Sequence, residues 1–193
     1  HGVPTHVSDG VAIRTLHNGV EKMIKRLRPY PTPEQLAAMY PTPHDHRIYG
    51  RGHSERVDAT VQLALDHITE AGRTTVADMS CGNGEIARRI TCGQMTLGDF
   101  ASGYEITGPL ERTLFDHVDF VDTYICSETL EHVDNPEHVL DMIFQRANYL
   151  LLSTPLECWD DSNGEHLWAW DREDVEELAA KCGWAPTAFT SID

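Results

Sequence analysis

The stretch that most constrains this chain is "VADMSCGNGEIARRI", residues 76–90. An apolar run enters, a Gly-x-Gly turn follows, and residues of helical pattern leave. Gly82 and Gly84 let the backbone turn tightly and approach a ligand closely. A strand–turn–helix unit places that ligand outside the carboxyl end of the strand, near the helix N-terminus. The Gly-Lys-Ser/Thr of a phosphate loop is absent, and Ala87 fits only the looser form of the dinucleotide fingerprint. Asp78, just before the turn, repels a pyrophosphate and attracts an ammonium group.

The chain around this unit alternates. Helices are expected over 54–71, 85–90, 109–117, 136–147 and 171–181, and strands over 74–79, 95–99, 104–108, 120–127, 149–154 and 185–192. Apolar Val57, Val61, Leu65 and Ile68 recur on one face of the first helix, and the 120–127 run is apolar enough for a buried strand. Strands alternating with helices imply an α/β fold with a mostly parallel sheet and helices on both faces. Before this unit, apolar spacing at 13, 16, 20, 24 and 27 suggests a helix over Val11–Leu27. Prolines at 29, 31, 33, 41 and 43 then leave room for one short helix, starting near Thr32-Pro33-Glu34. Residues 1–53 thus read as a lid or cover, and 54–193 as a single globular domain.

Charge narrows the partners. The net charge is -16 and the pI about 4.9, so bulk binding to phosphate backbones or anionic lipid is disfavoured. The basic run at 21–29 reads as the solvated face of a helix. No apolar stretch is long enough to cross a bilayer. The five cysteines are scattered without a C-x-x-C pair, which fits a reducing cytoplasm rather than a disulfide framework.

"DMSCGNGE" (78–85) resembles motif I of class I S-adenosylmethionine-dependent methyltransferases, D-x-G-C-G-x-G, with Ser80 replacing the first glycine. The resemblance implies a Rossmann-like methyltransferase sheet. It also implies that Asp78, Ser80, Cys81, Gly82 and Gly84 surround the amino-acid part of S-adenosylmethionine. Asp99 would then hold the ribose hydroxyls, a carboxylate being a good double acceptor for a diol. Ser127 and Tyr49 are further cofactor candidates, and Tyr104 and Ile106 are candidates for the adenine. Only about twenty residues separate Asp99 from the 120–127 strand, so the third-strand region is expected to be shortened.

A second stretch carries more chemistry. In "ICSETLEHVDNP" (125–136) an apolar run ends abruptly in polar residues. If the chain turns helical at Glu128, then Glu128, Glu131 and His132 share one face. Two carboxylates and an imidazole are reasonable ligands for a hard divalent ion. The stretch resembles S-E-V-L-E-H-V-x-x-P of the same methyltransferases. With "GEHLWAWDREDVEEL" (164–178) it matches the layout of small-RNA 3′-terminal 2′-O-methyltransferases, and quinone-biosynthesis O-methyltransferases share the Glu-x-x-Glu-His cluster. Carried over, Glu128, Glu131, His132 and His166 would bind Mg²⁺ or Mn²⁺. Such an ion lowers the pKa of an acceptor hydroxyl and positions its oxygen. Without it, His132 or His166 would be the general base, with Glu128 beside it.

Plainer readings stand next to these. The Glu-His pair could simply orient a loop, and Trp168 and Trp170 could be core. Residues 44–57 could be surface loop rather than a lid offering Tyr49, His53 and Arg56. The expectation is O-methylation of a small-molecule hydroxyl, metal-assisted or not. Its rivals are an RNA-end 2′-O-methyltransferase and a non-catalytic cofactor-binding module. After Gly183 there is room for only one last strand, so a sheet edge would stay open to a second copy in a homodimer.

Overall fold

A computed structural model describes residues 24–45, 51–68 and 74–192, and the backbone of 15–17 and 20–22. The N-terminal part holds β1 (Thr15–His17), β2 (Val20–Lys22), β3 (Lys25–Arg26) and α1 (Pro33–Met39). α2 (Arg51–His67) leads into β4 (Thr75–Asp78). There follow β5 (Gln94–Asp99), β6 (Ile106–Thr107), α3 (Leu110–His117), β7 (Val121–Ser127), α4 (Pro136–Phe144), β8 (Ala147–Ser153), β9 (Trp168–Ala169) and α5 (Arg172–Lys181).

The main sheet has five strands in the order β6-β5-β4-β7-β8, all parallel. Parallel strands need both faces covered. Tyr124, Ile125 and Cys126 of β7 are accordingly fully buried. Val57, Val61 and Ala64 of α2 cover one face with Ile86 and Ile90. Leu114 of α3, Leu140 and Ile143 of α4 and Leu178 of α5 cluster with Trp170 in the other core. The order in which successive strands are added to the sheet reverses between β4 and β7. In open α/β sheets that switch point is where ligands sit, at the carboxyl ends of the strands. Asp78, Asp99 and Ser127 end β4, β5 and β7 there. The expected α/β class and shortened third-strand region are both present, β6 being two residues long.

Several expectations are corrected. Residues 15–26 contain strands, not a helix. β1 and β2 pair antiparallel with His17 opposite Val20, and β3 pairs with β9. The apolar spacing mimicked a helix, but pairing partners decided otherwise. Residues 85–90 make only a single 3₁₀ turn, Ala87–Arg89. The chain must begin β5 at Gln94, so there is no length for a longer helix. The 136–147 helix stops at Phe144, because Ala147 already pairs with Val121. Residues 185–192 form no strand, and β8 keeps an open edge among the described residues. The α1 expectation holds: Thr32 and Gln35 form a capping box at its start. Among the described residues no helix is long and apolar enough to cross a membrane.

α5 ends at Gly183, whose φ of +93° carries the chain away while Trp184 N–H donates back to Ala179 O at 3.0 Å. A Cβ there would lie 2.6 Å from Phe144 Cζ. Gly183→Ala is therefore expected to cost about 2 kcal/mol, a left-handed residue plus a displaced ring. Thermal melts should show this as a drop of roughly 4–8 °C.

Candidate cofactor and acceptor site

The glycine loop is held from behind. Cys81 N–H donates to Gly98 O at 3.1 Å, and Ser80 N–H to Asp78 Oδ1 at 3.1 Å. Gly82 and Gly84 adopt φ of +54° and +73°, a region open to glycine at little cost. Asp99 accepts Gly82 N–H at 2.8 Å and Ala101 N–H at 2.9 Å, one on each carboxylate oxygen. The acid at the end of β5 is thus locked to the loop after β4. Burial pushes Asp78 up to about 7, with Asp99 adding to the rise against the Ser80 hydrogen bonds. Burial also raises Asp99, although its two amide donors oppose this.

In front of the loop lies a cleft of about 1690 Å³, lined by Ser80, Gly82, Asp99, Phe100, Glu131 and His132 among others. Asp78, Cys81 and Gly84 sit behind its wall rather than on it. Tyr104 and Ile106 do not line it either: the Tyr104 hydroxyl lies over Gly84, and Ile106 packs on Gly98. Phe100 and Tyr40 line it instead, with ring centroids 5.6 Å apart. Phe100 directly follows Asp99, a positional signal the sequence did offer. Tyr40 lies in the proline-rich segment, where nothing in the pattern marked it. Tyr49 lies outside the described residues.

The turn after β7 is not the helix expected from Glu128. Glu128 has φ of +50°, its N–H donates to Ser153 O at 2.8 Å, and a 3₁₀ turn follows at Leu130–His132. The residues therefore separate. Ligand atoms of Glu131, His132 and His166 all lie within 4.8 Å of one another. Glu128 is not among them; its Oε1 lies 3.7 Å from Arg56 Nε.

Each member of the trio has a distinct environment. Glu131 is 1% exposed and accepts from Thr154 Oγ1 at 2.9 Å through Oε2. Its Oε1 has no hydrogen-bond partner among the described residues and faces His132 Nε2 at 3.6 Å. Burial, then the charge of Glu128, pushes its carboxyl well above the ordinary range. His132 Nδ1 lies 3.1 Å from Glu165 O and 3.2 Å from Tyr40 Oη. A carbonyl only accepts, so Nδ1 carries the proton and the Nε2 lone pair faces Glu131. Burial, with His166 adding to it, pushes this imidazole down to about 3. His166 Nδ1 pairs with Asp161 Oδ2 at 2.5 Å, and its Nε2 lies 3.0 Å from Asn163 Nδ2. Arg28 clamps the same loop by donating to the backbone carbonyls of Asp161 and His166. Asp161 and Arg28 carried no sequence motif.

The remaining candidates divide. Ser127 lines the cleft, with Oγ 2.9 Å from Ser153 Oγ. His53 and Arg56 also line it. Trp168 and Trp170 do not. Trp170 is 1% exposed and donates Nε1–H to Thr154 Oγ1 and Pro155 O, both at 3.1 Å, and Trp168 donates to Val133 O at 2.9 Å. They brace the strand ends behind Glu131.

No protein-family model matches the chain, and no curated protein does. Solved structures do. The [4+2]-cyclase SpnF superposes with a TM-score of 0.55 at 15% identity, over 80% of this chain and 73% of that one. Magnesium protoporphyrin IX methyltransferase (ChlM) from Synechocystis PCC 6803, with bound SAM, gives 0.54 at 17% identity, over 77% and 83%. The same enzyme with bound SAH gives 0.50 at 15% identity, over 75% and 85%. At these identities the likeness is one of fold. With its parallel β6-β5-β4-β7-β8 sheet, the chain has the Rossmann-like fold of class I S-adenosylmethionine-dependent methyltransferases.

Proposed function

We propose that the chain is an S-adenosylmethionine-dependent methyltransferase acting on a hydroxyl of a small molecule, assisted by a divalent ion. One observation carries the reading: the Gly82–Asp99 cradle and the Glu131–His132–His166 cluster face one cleft at the switch point. Bound in the cradle, S-adenosylmethionine supplies an electrophilic methyl group on a sulfonium. The acceptor oxygen forms the new bond to that carbon while the sulfur keeps the old bonding pair. The hydroxyl proton must leave, and the chain has to provide for it.

His132 alone provides poorly. An imidazole pushed down to about 3 is a weak proton acceptor at neutral pH. Its free Nε2 lone pair is nonetheless a good ligand. Glu131 Oε1, buried without a hydrogen bond among the described residues, fits a cation in the same place. A divalent ion held by Glu131, His132 and His166 would lower the acceptor's pKa and leave positions open for its oxygen. Because Glu128 lies apart, the set has two imidazoles and one carboxylate. That suits Mn²⁺ or Zn²⁺ better than Mg²⁺, which prefers oxygen.

A small molecule suits the cleft better than RNA. Its walls carry Asp99, Glu111, Glu128, Glu131, Glu157, Glu165 and Glu176 against Arg56 and Arg172. A phosphate backbone would be repelled. The fold alone does not fix the reaction, since one fold neighbour is a cyclase. The five unpaired cysteines fit a cytoplasmic placement, and a homodimer paired along the open β8 edge is the assembly this architecture admits. The test is calorimetric titration with S-adenosylhomocysteine, followed by methyl-tritium transfer to a panel of phenols and alcohols. We expect one-to-one binding and label on oxygen. No binding at millimolar S-adenosylhomocysteine would end the methyltransferase reading.

A further inference from the structure

The loop that carries His166 is anchored through its backbone, and side chains of the same loop orient the ring. Arg28 donates to the carbonyls of Asp161 and His166, and Leu167 N–H donates to Glu131 O at 2.6 Å. Within this frame two side chains meet the imidazole, one at each nitrogen. Asp161 Oδ2 lies 2.5 Å from Nδ1, and its Oδ1 accepts Asn163 N–H at 2.7 Å. A carboxylate only accepts, so Nδ1 carries the proton and Nε2 the lone pair. Asn163 Nδ2 lies 3.0 Å from that Nε2. Asn163 Oδ1 accepts Glu165 N–H at 3.1 Å, which leaves the amide nitrogen, a donor, turned to the ring. Both bonds require the same tautomer.

The two partners lie on different sides of the cleft wall. Asn163 and His166 line the cleft, whereas Asp161 sits behind it. The protonated nitrogen thus points into the protein and the bare one toward the cleft. The same loop treats His132 alike: Glu165 O takes its Nδ1–H at 3.1 Å and leaves Nε2 toward Glu131. An imidazole bonded to a carboxylate through one nitrogen is fixed in direction and more basic at the other, which strengthens that nitrogen's bond to a cation. The Asn163 amide acts the opposite way. It donates to the electron pair a cation needs, so an ion gains His166 only by displacing it.

We propose that Asp161 and Asn163 are opposed positioning residues for the Glu131–His132–His166 cluster: Asp161 presents the His166 Nε2 lone pair to a divalent ion, and Asn163 competes with the ion for it. The inference rests on the divalent-ion reading. Ion affinity is then set by the 161–166 loop as well as by the three ligands.

The experiment uses the full chain as wild type, Asp161→Ala, Asp161→Asn and Asn163→Ser. Serine keeps an oxygen for the Glu165 N–H turn but is too short to reach Nε2. Long-range ¹H–¹⁵N spectra of the histidine rings, assigned with His166→Gln, read the tautomer before metal is added. Calorimetry then reads Mn²⁺ binding with S-adenosylhomocysteine saturating. Wild-type His166 should be protonated at Nδ1. Asp161→Ala should lose that preference and bind Mn²⁺ about 10–100-fold more weakly, and Asp161→Asn, which keeps an oxygen but no charge, should recover part. Asn163→Ser should keep the tautomer and bind Mn²⁺ about two- to tenfold more tightly. S-adenosylhomocysteine affinity within about twofold of wild type shows that a variant folds, and Asp161→Asn carries the test if Asp161→Ala does not. Wild-type His166 protonated at Nε2 would overturn the inference. So would weakening of Mn²⁺ binding by Asn163→Ser and Asp161→Ala alike, the result of a loop that is only structural. Wild type with the expected tautomer but no Mn²⁺ binding would instead remove the divalent-ion reading beneath it.

Discussion

Mn²⁺ titrated into protein saturated with S-adenosylhomocysteine is expected to bind one-to-one, and Glu131→Gln to abolish that binding. The substitution keeps the volume of the side chain and an oxygen for Thr154, so the turn should survive. What disappears is the carboxyl oxygen that faces His132 Nε2 without a hydrogen bond among the described residues and that would carry the charge toward a bound ion. Losing a carboxylate ligand from a three-ligand site should weaken metal affinity by more than ~100-fold. Methyl transfer should fall by a similar factor, because His132 cannot replace the ion as a base. The apo variant should be no less stable than wild type at neutral pH. Burial raises the Glu131 pKa, so the native state prefers this carboxyl protonated, and ionising it costs stability as pH rises above the ordinary carboxylate range. A variant that binds Mn²⁺ as wild type does would move the ion elsewhere. Wild type that binds none would retire the metal.

Asp78→Asn should act on stability and binding in opposite directions. The native carboxyl titrates at about 7, against roughly 3.9 in an unfolded chain. Between those values the native state holds a proton that the unfolded chain has released. Native stability therefore falls as pH rises from about 4 to about 7, and the penalty is constant above. A rise of that size corresponds to about 4 kcal/mol as an upper figure. Asparagine removes that slope. The variant should melt with wild type near pH 4 and above it at pH 8. Cofactor binding should suffer, because the negative charge that Asp78 would supply from behind the cleft wall to the cofactor's ammonium is gone. Wild-type affinity for S-adenosylhomocysteine should climb with pH toward 7, while the variant's stays flat, the two nearly equal at pH 5 and about tenfold apart at pH 8. Melting curves and calorimetry at pH 5 and 8 decide it. A variant less stable than wild type at pH 8 would contradict the argument.

The sheet and the glycine turn at its carboxyl end were legible because their signals are local. β7 and β8 are apolar runs bounded by turns, and Gly82 and Gly84 need a backbone that only a tight turn supplies. Asp99 was legible because it ends an apolar strand, and its bond to Gly82 N–H is the structural result. The acceptor side was only half legible. Glu131, His132 and His166 lie together and Glu128 does not, because spacing assumed a helix where the chain makes a left-handed turn. Arg56, Asp161 and Arg28 act through contacts distant in sequence, which no local pattern encodes. One local signal was passed over. The dipeptide between β1 and β2 is Asn18-Gly19, a strong hairpin marker set within spacing that suggested a helix.

The pairing of β3 with β9 sets Lys25 opposite Ala169 and Arg26 opposite Trp168. Lys25 Nζ also reaches Trp159 O at 3.0 Å, and Arg28 reaches Asp161 and His166 from the same stretch. These contacts join segments more than 130 residues apart, while even the widest pairing of the main sheet, β4 with β7, joins segments far closer in sequence. Contacts of such long sequence separation close late, after the entropy of the intervening loop has been met. They are also few and peripheral, which makes them candidates for opening while the sheet stays intact. The loop that carries His166 is thus held by residues from far back in the chain, and hydrogen exchange is expected to show it opening before the central strands do.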